Sequence, residues 1–439
     1  MATFELPQIP DAGHQLEDYV AGLFQAAGYY VEKNVRQRDV MDVLELDAVA
    51  TSYDGPLPEA VLAEAKGGRW GFPDIFKVAG WMAYLRIDRG GFFVKEPPGT
   101  GARDVERMAR TVAALGVALV DLGDFRDAGG RLGVSGFRPL RDPLLLDVFR
   151  LAFGVERALL DGVRAARRAH EDKRGPQEVL AYHDLINDHV FFLKDVDERL
   201  RRLYAGYRSH PKLSLTIAQE LAGEPFAQSA PLRASAAATN LLAEAMYEGK
   251  HPLLQGSMYV EHRARLAILK ATIDLACLDE AGQLPGEALA DLPVTFLEGL
   301  RRLRKRPTFR RYALLWQVFL WGFGGFYRAD REREELGALA AQTGVPVSEI
   351  GDALGAFDDL FPLAKGSWIV PVRGTSLRVV KMMPAALRGV GAVQRLRRAG
   401  ARNYDGLGQS PLGRRNLITW HNALVRLLAE SAEKKKPVR

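Results

Sequence analysis

Residues 43–66 read VLELDAVATSYDGPLPEAVLAEAK, and the predicted fold depends on this stretch. An apolar run with strand character precedes the turn YDGPLP, which holds Asp-Gly and two prolines, and the run EAVLAEAK follows it. The stretch therefore predicts a β-hairpin. Because alternate side chains of a strand point to the same face, Glu64 and Lys66 are expected to lie side by side on the second strand.

The hairpin also brings a second carboxylate towards this pair. Asp47 lies on the first strand, and the turn places it near Glu64 at one end of the pair. Two such acidic groups repel each other unless a cation lies between them. A few hard oxygen ligands, with room for water and phosphate, suit Mg²⁺. Lys66 would then lie beside the cation, where it could activate an attacking water or stabilise charge on a phosphate.

The residues around the hairpin predict a mixed α/β sheet with helices on its faces. A helical stripe of apolar residues precedes the hairpin and ends at Gly28, and VEKNV follows as a first strand. After the hairpin come the helix FPDIFKVAGWMAYLRI, the strand RGGFFVKE, the helix ARDVERMARTVAALG and the strand VALVDLGDF. The predicted order is helix, three strands, helix, strand, helix, strand.

This order and these residues resemble the PD-(D/E)xK nucleases, most of all the Mrr-type restriction endonucleases and the archaeal Holliday-junction resolvases. The resemblance covers about residues 10–130 and rests on Glu17 in the first helix, Asp47, and the motif Glu64-Ala65-Lys66. It implies an α/β restriction-endonuclease-like domain. It also implies that Mg²⁺, or Mn²⁺ as a substitute, is bound by Asp47, Glu64 and the backbone carbonyl of Ala65. Lys66 would lie beside the nucleophilic water, and Glu17 would orient water or assist a second metal.

Three interpretations without a catalytic role also fit this part of the chain. A Glu and a Lys paired on a solvated strand edge give the same Glu-Ala-Lys pattern. A nuclease fold that has lost its activity and serves as a scaffold would keep the same elements. Glu17 also fits an ordinary surface position, because carboxylates are favoured near the start of a helix.

Charge is unevenly distributed along the chain, whose net charge is +6. The first 135 residues carry a net charge of −6 and the remainder +12. An acidic N-terminal part and a basic remainder are expected of a protein in which the basic part binds a polyanion and the acidic part is a metal-dependent catalytic domain. An arginine-rich composition of the genome would produce the same asymmetry.

Basic clusters recur in the second part of the chain, at 164–170, 199–210 and 301–312. The last two interleave arginines with aromatic residues, as expected of a surface that contacts phosphates and bases. Solvated helix faces are the alternative. The cluster RRLRKRPTFRRY predicts a nucleic-acid-binding set of Arg301, Arg302, Arg304, Lys305, Arg310 and Arg311.

The remainder of the chain predicts mainly α-helix with one winged-helix-like module. ELGALAAQTGVPVSEIGDALGAF has the spacing of a helix-turn-helix, and SWIVPVRGTSLRVVKM supplies two strands of a wing. Its second helix carries Ser348, Glu349 and Asp352 instead of the usual readers of base edges, which favours an architectural role. The expected domains are the nuclease domain at 1–135, a helical domain at 140–325, the winged-helix-like module at 330–382, and a basic C-terminal segment and tail at 383–439.

The location and the activity follow as expectations. The N-terminus has no basic and apolar signal pattern, no run reaches the roughly 20 apolar residues of a membrane span, and the single cysteine, Cys277, fits a reducing cytosol. We expect a cytoplasmic Mg²⁺-dependent endonuclease that hydrolyses DNA in restriction or anti-phage defence, as a homodimer or with a protein partner, and without membrane contact. The alternatives are the same chemistry on RNA, and a non-catalytic winged-helix protein that binds DNA or a partner and carries a degenerate nuclease head.

Overall fold

A five-stranded mixed sheet forms the first part of the molecule, with the strand order β1-β2-β3-β4-β5. The computed structural model describes residues 9–11, 13–37, 44–96, 102–141, 144–192, 195–210, 212–227, 235–248, 251–283, 292–321, 326–328, 332–360, 367–372 and 375–380. The strands are Tyr30–Gln37 (β1), Leu44–Ser52 (β2), Glu59–Lys66 (β3), Arg89–Val94 (β4) and Val117–Asp121 (β5). The helices of this part are His14–Ala26 (α1), Phe72–Leu85 (α2), Ala102–Ala113 (α3) and Ala128–Val134 (α4).

The predicted order of helices and strands is confirmed, and so is the predicted hairpin. β1, β2 and β3 are antiparallel neighbours, with Ala48 opposite Ala63 and Ser52 opposite Glu59 in the hairpin. β4 and β5 are each parallel to the strand before them. Parallel neighbours need a crossover connection, and α2 and α3 provide the two crossovers.

Two apolar cores lie on opposite faces of this sheet. α1 covers one face with side chains such as Val20 and Phe24, and α2 and α3 cover the other with Val78 and Val112. α1 is buried on nearly all sides because α5 packs against its outer surface. The first helix therefore lies between the sheet and the helical part of the chain.

The second part of the described chain is mostly helical, as predicted. Its helices are Leu144–Ala169 (α5), Gly175–Asp184 (α6), Val196–Ser209 (α7), Leu213–Leu221 (α8), Ala236–Glu248 (α9), Pro252–Glu280 (α10), Val294–Arg304 (α11) and Tyr312–Trp321 (α12). A π-helical turn follows α6 at Leu185–His189, and a 3-10 turn precedes α12 at Phe309–Arg311. α10 is central, since α5, α6, α7, α8 and α12 all pack against it.

The most apolar stretch of the sequence forms the core helix α12. Every one of its ten residues is buried, and ten residues span only about 15 Å. Among the helices of the described residues, none combines the length and the apolar character that a membrane crossing requires.

The last described elements are Phe326–Arg328 (β6), Glu332–Thr343 (α13), Val347–Leu360 (α14), Ser367–Val372 (β7) and Thr375–Val380 (β8). Both predicted helices and the hairpin are present. β6 was not predicted, and it pairs with β8 to give an antiparallel sheet in the order β6-β8-β7. Gly344, which connects the two helices, has φ +72°, a conformation that favours glycine. The predicted C-terminal segment at 383–439 lies outside the described residues.

The sheet and the helical part share one continuous core. A single cluster of buried apolar side chains runs from Leu16 in α1 through α5, α10 and α12 to Leu360 in α14. The predicted domain boundaries stay a prediction, but the packing is continuous across position 140.

A side-chain amide also joins the two parts. The Gln317 Oε1 atom accepts a hydrogen bond from the Val31 N–H at 2.8 Å, and its Nε2 donates to the Val31 carbonyl at 2.7 Å. β1 is the edge strand of the sheet. Gln317 therefore occupies the place that a further strand would take, and it satisfies the two backbone groups that such an edge leaves open.

We expect Gln317→Leu to destabilise the protein, because both backbone groups of Val31 would remain buried without a partner. Each such group costs about 1–3 kcal/mol, so the free energy of unfolding should fall by about 2–4 kcal/mol. Urea denaturation followed by circular dichroism measures the change. The control is Gln177→Leu, at an exposed position in α6. Equal midpoints for the two variants would contradict this role of Gln317.

Candidate active site

β2 and β3 separate where their shared ladder ends, and the gap between them forms a fork. Their pairing covers residues 48–52 and 59–63. Beyond it, β2 stays paired with β1, and residues 64–66 of β3 stay paired with β4. Asp47 and Glu64 are the first residues on either side of the fork, as the predicted hairpin requires.

A backbone irregularity at Asp47 accompanies this separation. In a regular strand, residues 46 and 48 share a face, but Leu46 packs in the core under α2 and Ala48 in the core under α1. The β1 residue opposite Asp47 is Asn34, with φ +53°, a conformation that asparagine tolerates better than most residues. Both strands thus change face at this point, and the side chain of Asp47 turns into the fork.

Asp47 replaces the missing backbone of β2 as a partner for β3. The Ala65 N–H donates a hydrogen bond to Asp47 Oδ2 at 2.7 Å. The Lys66 carbonyl accepts from the Lys95 N–H on the β4 side. Since neighbouring residues of a strand direct their backbone groups to opposite edges, the carbonyl of Ala65 points into the fork beside Asp47.

Glu64 is the most buried member of the site, with 2% of its surface exposed. Its Oε1 atom lies 2.8 Å from Lys66 Nζ and 3.7 Å from Nζ of Lys77, which α2 contributes. Its Oε2 atom is buried and has no hydrogen-bond partner among the described residues. Because a buried carboxylate oxygen without a partner is unfavourable, this atom marks the place where a ligand would fit.

Glu17 reaches the same site from the first turn of α1. Its Oε2 atom lies 2.9 Å from His14 Nδ1. Burial, together with the negative charges of Glu64 and Glu17, raises the pKa of Asp47 well above its ordinary value, against the opposing effects of the Ala65 N–H and Lys66. The structure therefore brings all four predicted side chains together, although they come from α1, β2 and β3.

Lys66 is held in its charged form. Burial alone would lower the pKa of its ammonium group, but the hydrogen bond and charge of Glu64 and the charges of Asp47 and Asp74 outweigh burial and raise it. At neutral pH the side chain is therefore protonated. It can donate a hydrogen bond and supply positive charge, and it is not available as a base.

The residues of the fork are suited to a hard dication. They combine an oxygen without a partner on Glu64, a carboxylate on Asp47 whose charge is disfavoured, and the carbonyl of Ala65. This donor set contains two carboxylates. Larger clusters, with three or more His, Cys, Asp or Glu side chains placed to hold a metal, do not occur in the described ranges.

The six basic residues predicted to bind nucleic acid fall into two groups. Three are half-buried, and each forms an ion pair: Arg304 with Asp279, Arg310 with Glu280 and Arg311 with Asp54. The other three are exposed: Arg301, Arg302 and Lys305. The second group is better placed for phosphate contacts because its side chains are exposed.

A cavity of about 610 Å³ lies next to the site, and no motif had indicated it directly. His14, which contacts Glu17, lines it, and so does Asn34 opposite Asp47. Its wall carries the basic side chains of Lys33, Arg36, Arg157, Arg164 and Arg167 and the acidic ones of Glu156, Asp161 and Asp184. Four of the basic side chains form ion pairs, Lys33 and Arg157 with Asp18, Arg36 with Glu45 and Arg164 with Asp161, so Arg167 is the one best placed to bind an anion. A second cavity of about 510 Å³ shares Arg164 and Arg167 and adds Arg168. The only feature of the sequence that pointed to these cavities was the basic cluster at 164–170.

Comparison with known proteins gives no relative for this chain. No family model, no curated protein and no solved structure matches it. The candidate site therefore rests on the residues and the geometry of the chain itself.

We expect Asp47→Asn to stabilise the metal-free protein. The amide oxygen can still accept the Ala65 N–H, while the charge that burial and Glu64 disfavour is removed. Because folding raises the pKa of Asp47 above its ordinary value, this carboxylate does not destabilise the protein at pH values below the ordinary pKa. The destabilisation grows as the pH rises from the ordinary pKa to the raised one and is constant above it. The melting temperature in EDTA should rise by on the order of 2 °C at neutral pH, and the gain should shrink towards acidic pH.

Differential scanning fluorimetry across a pH series measures this effect, with Asp124→Asn at an exposed position as the matched control. A lower melting temperature for Asp47→Asn at neutral pH would contradict the expectation. It would show that the carboxylate is a net stabilising partner of Lys66.

Proposed function

We propose that the chain is a metal-dependent nuclease that hydrolyses DNA phosphodiester bonds, as an endonuclease of restriction or anti-phage defence. One observation carries this proposal: Asp47, Glu64 and the Ala65 carbonyl meet at the fork, with the Lys66 ammonium group beside them. The element order supports it, since a hairpin is followed by a helix and a parallel strand, as in the PD-(D/E)xK nucleases that the sequence resembles.

Each residue of the fork has a distinct part in this chemistry. Asp47, Glu64 and the Ala65 carbonyl would hold Mg²⁺, or Mn²⁺ in its place. The bound ion would polarise the scissile phosphate and acidify a water molecule. Lys66, protonated at neutral pH, would donate to a phosphate oxygen and stabilise the charge that develops there. Glu17, whose charge acts on Asp47, would orient water or assist a second metal.

The basic cavities would hold the sugar-phosphate backbone close to the fork. Arg167 and Arg168 are exposed and have no ion-pair partner within the described residues. From Arg157 to Arg168, α5 extends over about 16 Å, close to the length of five nucleotides at about 3.4 Å each. A strand that leaves the fork could therefore follow this helix.

The C-terminal module supports an architectural role. Two helices and the sheet β6-β8-β7 give the composition of a winged helix. Its second helix, α14, packs against α11, and in the segment after α11 Arg306 pairs with Asp352 and Thr308 donates a hydrogen bond to Glu349. These contacts engage two acidic side chains of α14 within the molecule, which supports a packing role for this helix over the reading of bases.

We expect Asp47→Ala and Lys66→Ala to reduce cleavage by at least about 100-fold, since each removes a charge that the reaction requires. The assay uses plasmid DNA, single-stranded DNA and RNA with Mg²⁺ or Mn²⁺, and EDTA should stop the reaction. Glu106→Ala, at an exposed position on α3, is the control. Equal cleavage by all variants would eliminate the site. Metal-independent, salt-sensitive DNA binding without any cleavage would instead support a non-catalytic protein.

Reversing two charges of the second cavity should weaken binding of the backbone. We expect Arg167→Glu with Arg168→Glu to lower DNA affinity and to reduce the slope of log affinity against log salt by about 0.9 for each phosphate that the variant no longer neutralises. Fluorescence anisotropy at several salt concentrations measures both quantities. Arg126→Glu, at a highly exposed arginine after β5, is the control. An unchanged slope would exclude α5 from the binding surface.

A further inference from the structure

Three exposed aromatic side chains lie on one helix, α2. They are Phe72, Phe76 and Tyr84, with exposed fractions of 38%, 60% and 45%. Their positions are separated by four and eight residues, so they lie on one row of the helix surface that turns by about 120° around the axis from Phe72 to Tyr84. With Gly80, which occupies the remaining position of the series, they form what is called here the aromatic ridge.

The aromatic ridge begins beside the candidate active site. Lys77, the neighbour of Phe76, lies 3.7 Å from Glu64 Oε1 and 4.1 Å from the centroid of the Trp81 ring. From Phe72 to Tyr84 the helix extends over about 18 Å. A polymer cut at the fork would therefore pass the ridge within a few nucleotides of the scissile bond.

Gly80 leaves a gap between Phe76 and Tyr84 on the ridge. It lies in the middle of α2, where glycine is less favourable than alanine. A Cβ atom added there would meet no heavy atom within 4 Å. Packing inside the molecule therefore does not require a glycine at this position, and the gap is open to a ligand.

We propose that the aromatic ridge binds unpaired bases of the nucleic acid that is cut at the fork. The substrate would then have a single-stranded segment next to the scissile bond, and this inference rests on the proposed function. Bases inside a duplex are stacked on each other, so only unpaired bases can offer their faces to aromatic side chains.

Charge favours nucleic acid over a protein as the occupant. Cations flank the ridge, with exposed Arg69 before the helix, Lys77 within it and exposed Arg86 at its end. Phosphate groups would complement these charges.

The test measures binding of labelled oligonucleotides to the full chain in EDTA, by fluorescence anisotropy. We expect a single strand, or a duplex with an overhang, to bind more tightly than a blunt duplex. Phe76→Ala and Tyr84→Ala should each weaken single-strand binding about tenfold and leave duplex binding within about twofold. Val134→Ala, at a valine that is 92% exposed on α4, is the control.

Two further variants separate stacking from apolar contact and from loss of folding. Phe76→Trp should keep single-strand affinity, and Phe76→Leu should lose it. Gly80→Met places a good helix former in the gap, so it should raise the melting temperature and still weaken single-strand binding. Equal binding by the Leu and Trp variants, or a self-association in sedimentation that Phe76→Ala abolishes, would overturn the proposal in favour of a protein-binding face.

The test of the ridge and the test of the nuclease activity can fail independently, because binding in EDTA is measured without cleavage. If Asp47→Ala abolishes cleavage and the ridge variants bind single strands normally, the ridge proposal fails alone. If no protein cleaves and the ridge variants still lose single-strand affinity, the nuclease proposal fails and the ridge proposal stands.

Discussion

The hydrogen bond from the Ala65 N–H to Asp47 is the constraint on which the site depends. When two paired strands separate, each leaves backbone groups without partners, and a buried group of this kind is costly. The side chain of Asp47 is the hydrogen-bond partner that the backbone of β3 would otherwise lack, so the two strands can separate at little cost in free energy. The divergence in turn opens the space between the Ala65 carbonyl, Glu64 and Lys66. One carboxylate thus serves the sheet and the candidate active site together.

The charges of the site are only partly balanced. Glu17, Asp47 and Glu64 meet two ammonium groups, of Lys66 and Lys77, and the raised pKa of Asp47 reflects the remaining excess of negative charge under burial. Such an arrangement reduces stability in the absence of a cation. It is the kind of local conflict that functional sites retain and that ordinary cores avoid.

The local part of this architecture could be predicted from the sequence. The turn YDGPLP and the apolar runs beside it specify the hairpin, and strand alternation then places Glu64 and Lys66 on one face. The change of face at Asp47 could not be predicted, since it depends on the backbone of Asn34 in another strand. The 610 Å³ cavity could not be predicted either, because it forms where α5 and α6 meet β1, more than a hundred residues earlier in the chain.

The exposure of the basic cluster at 301–312 also could not be predicted, because it depends on residues elsewhere in the chain. Arg304, Arg310 and Arg311 look equivalent to their exposed neighbours in the sequence, but their acidic partners lie far away in the chain. β6 escaped prediction for a similar reason, since three residues become a strand only through pairing with a segment about fifty residues later.

The amide of Gln317 on β1 has a consequence for the way in which the protein can be divided. The compact first 135 residues look transferable, like a module that could be fused to another protein. Without α12, however, these residues would lack Gln317, and the backbone donors and acceptors of β1 around Val31 would have no partners. Without α5, the outer side of α1 would also be uncovered. An isolated fragment of that kind would tend to add strands from its own copies and aggregate. The sheet that carries the candidate active site is thus not separable from the rest of the chain, and its solubility depends on a helix that the chain supplies almost three hundred residues later.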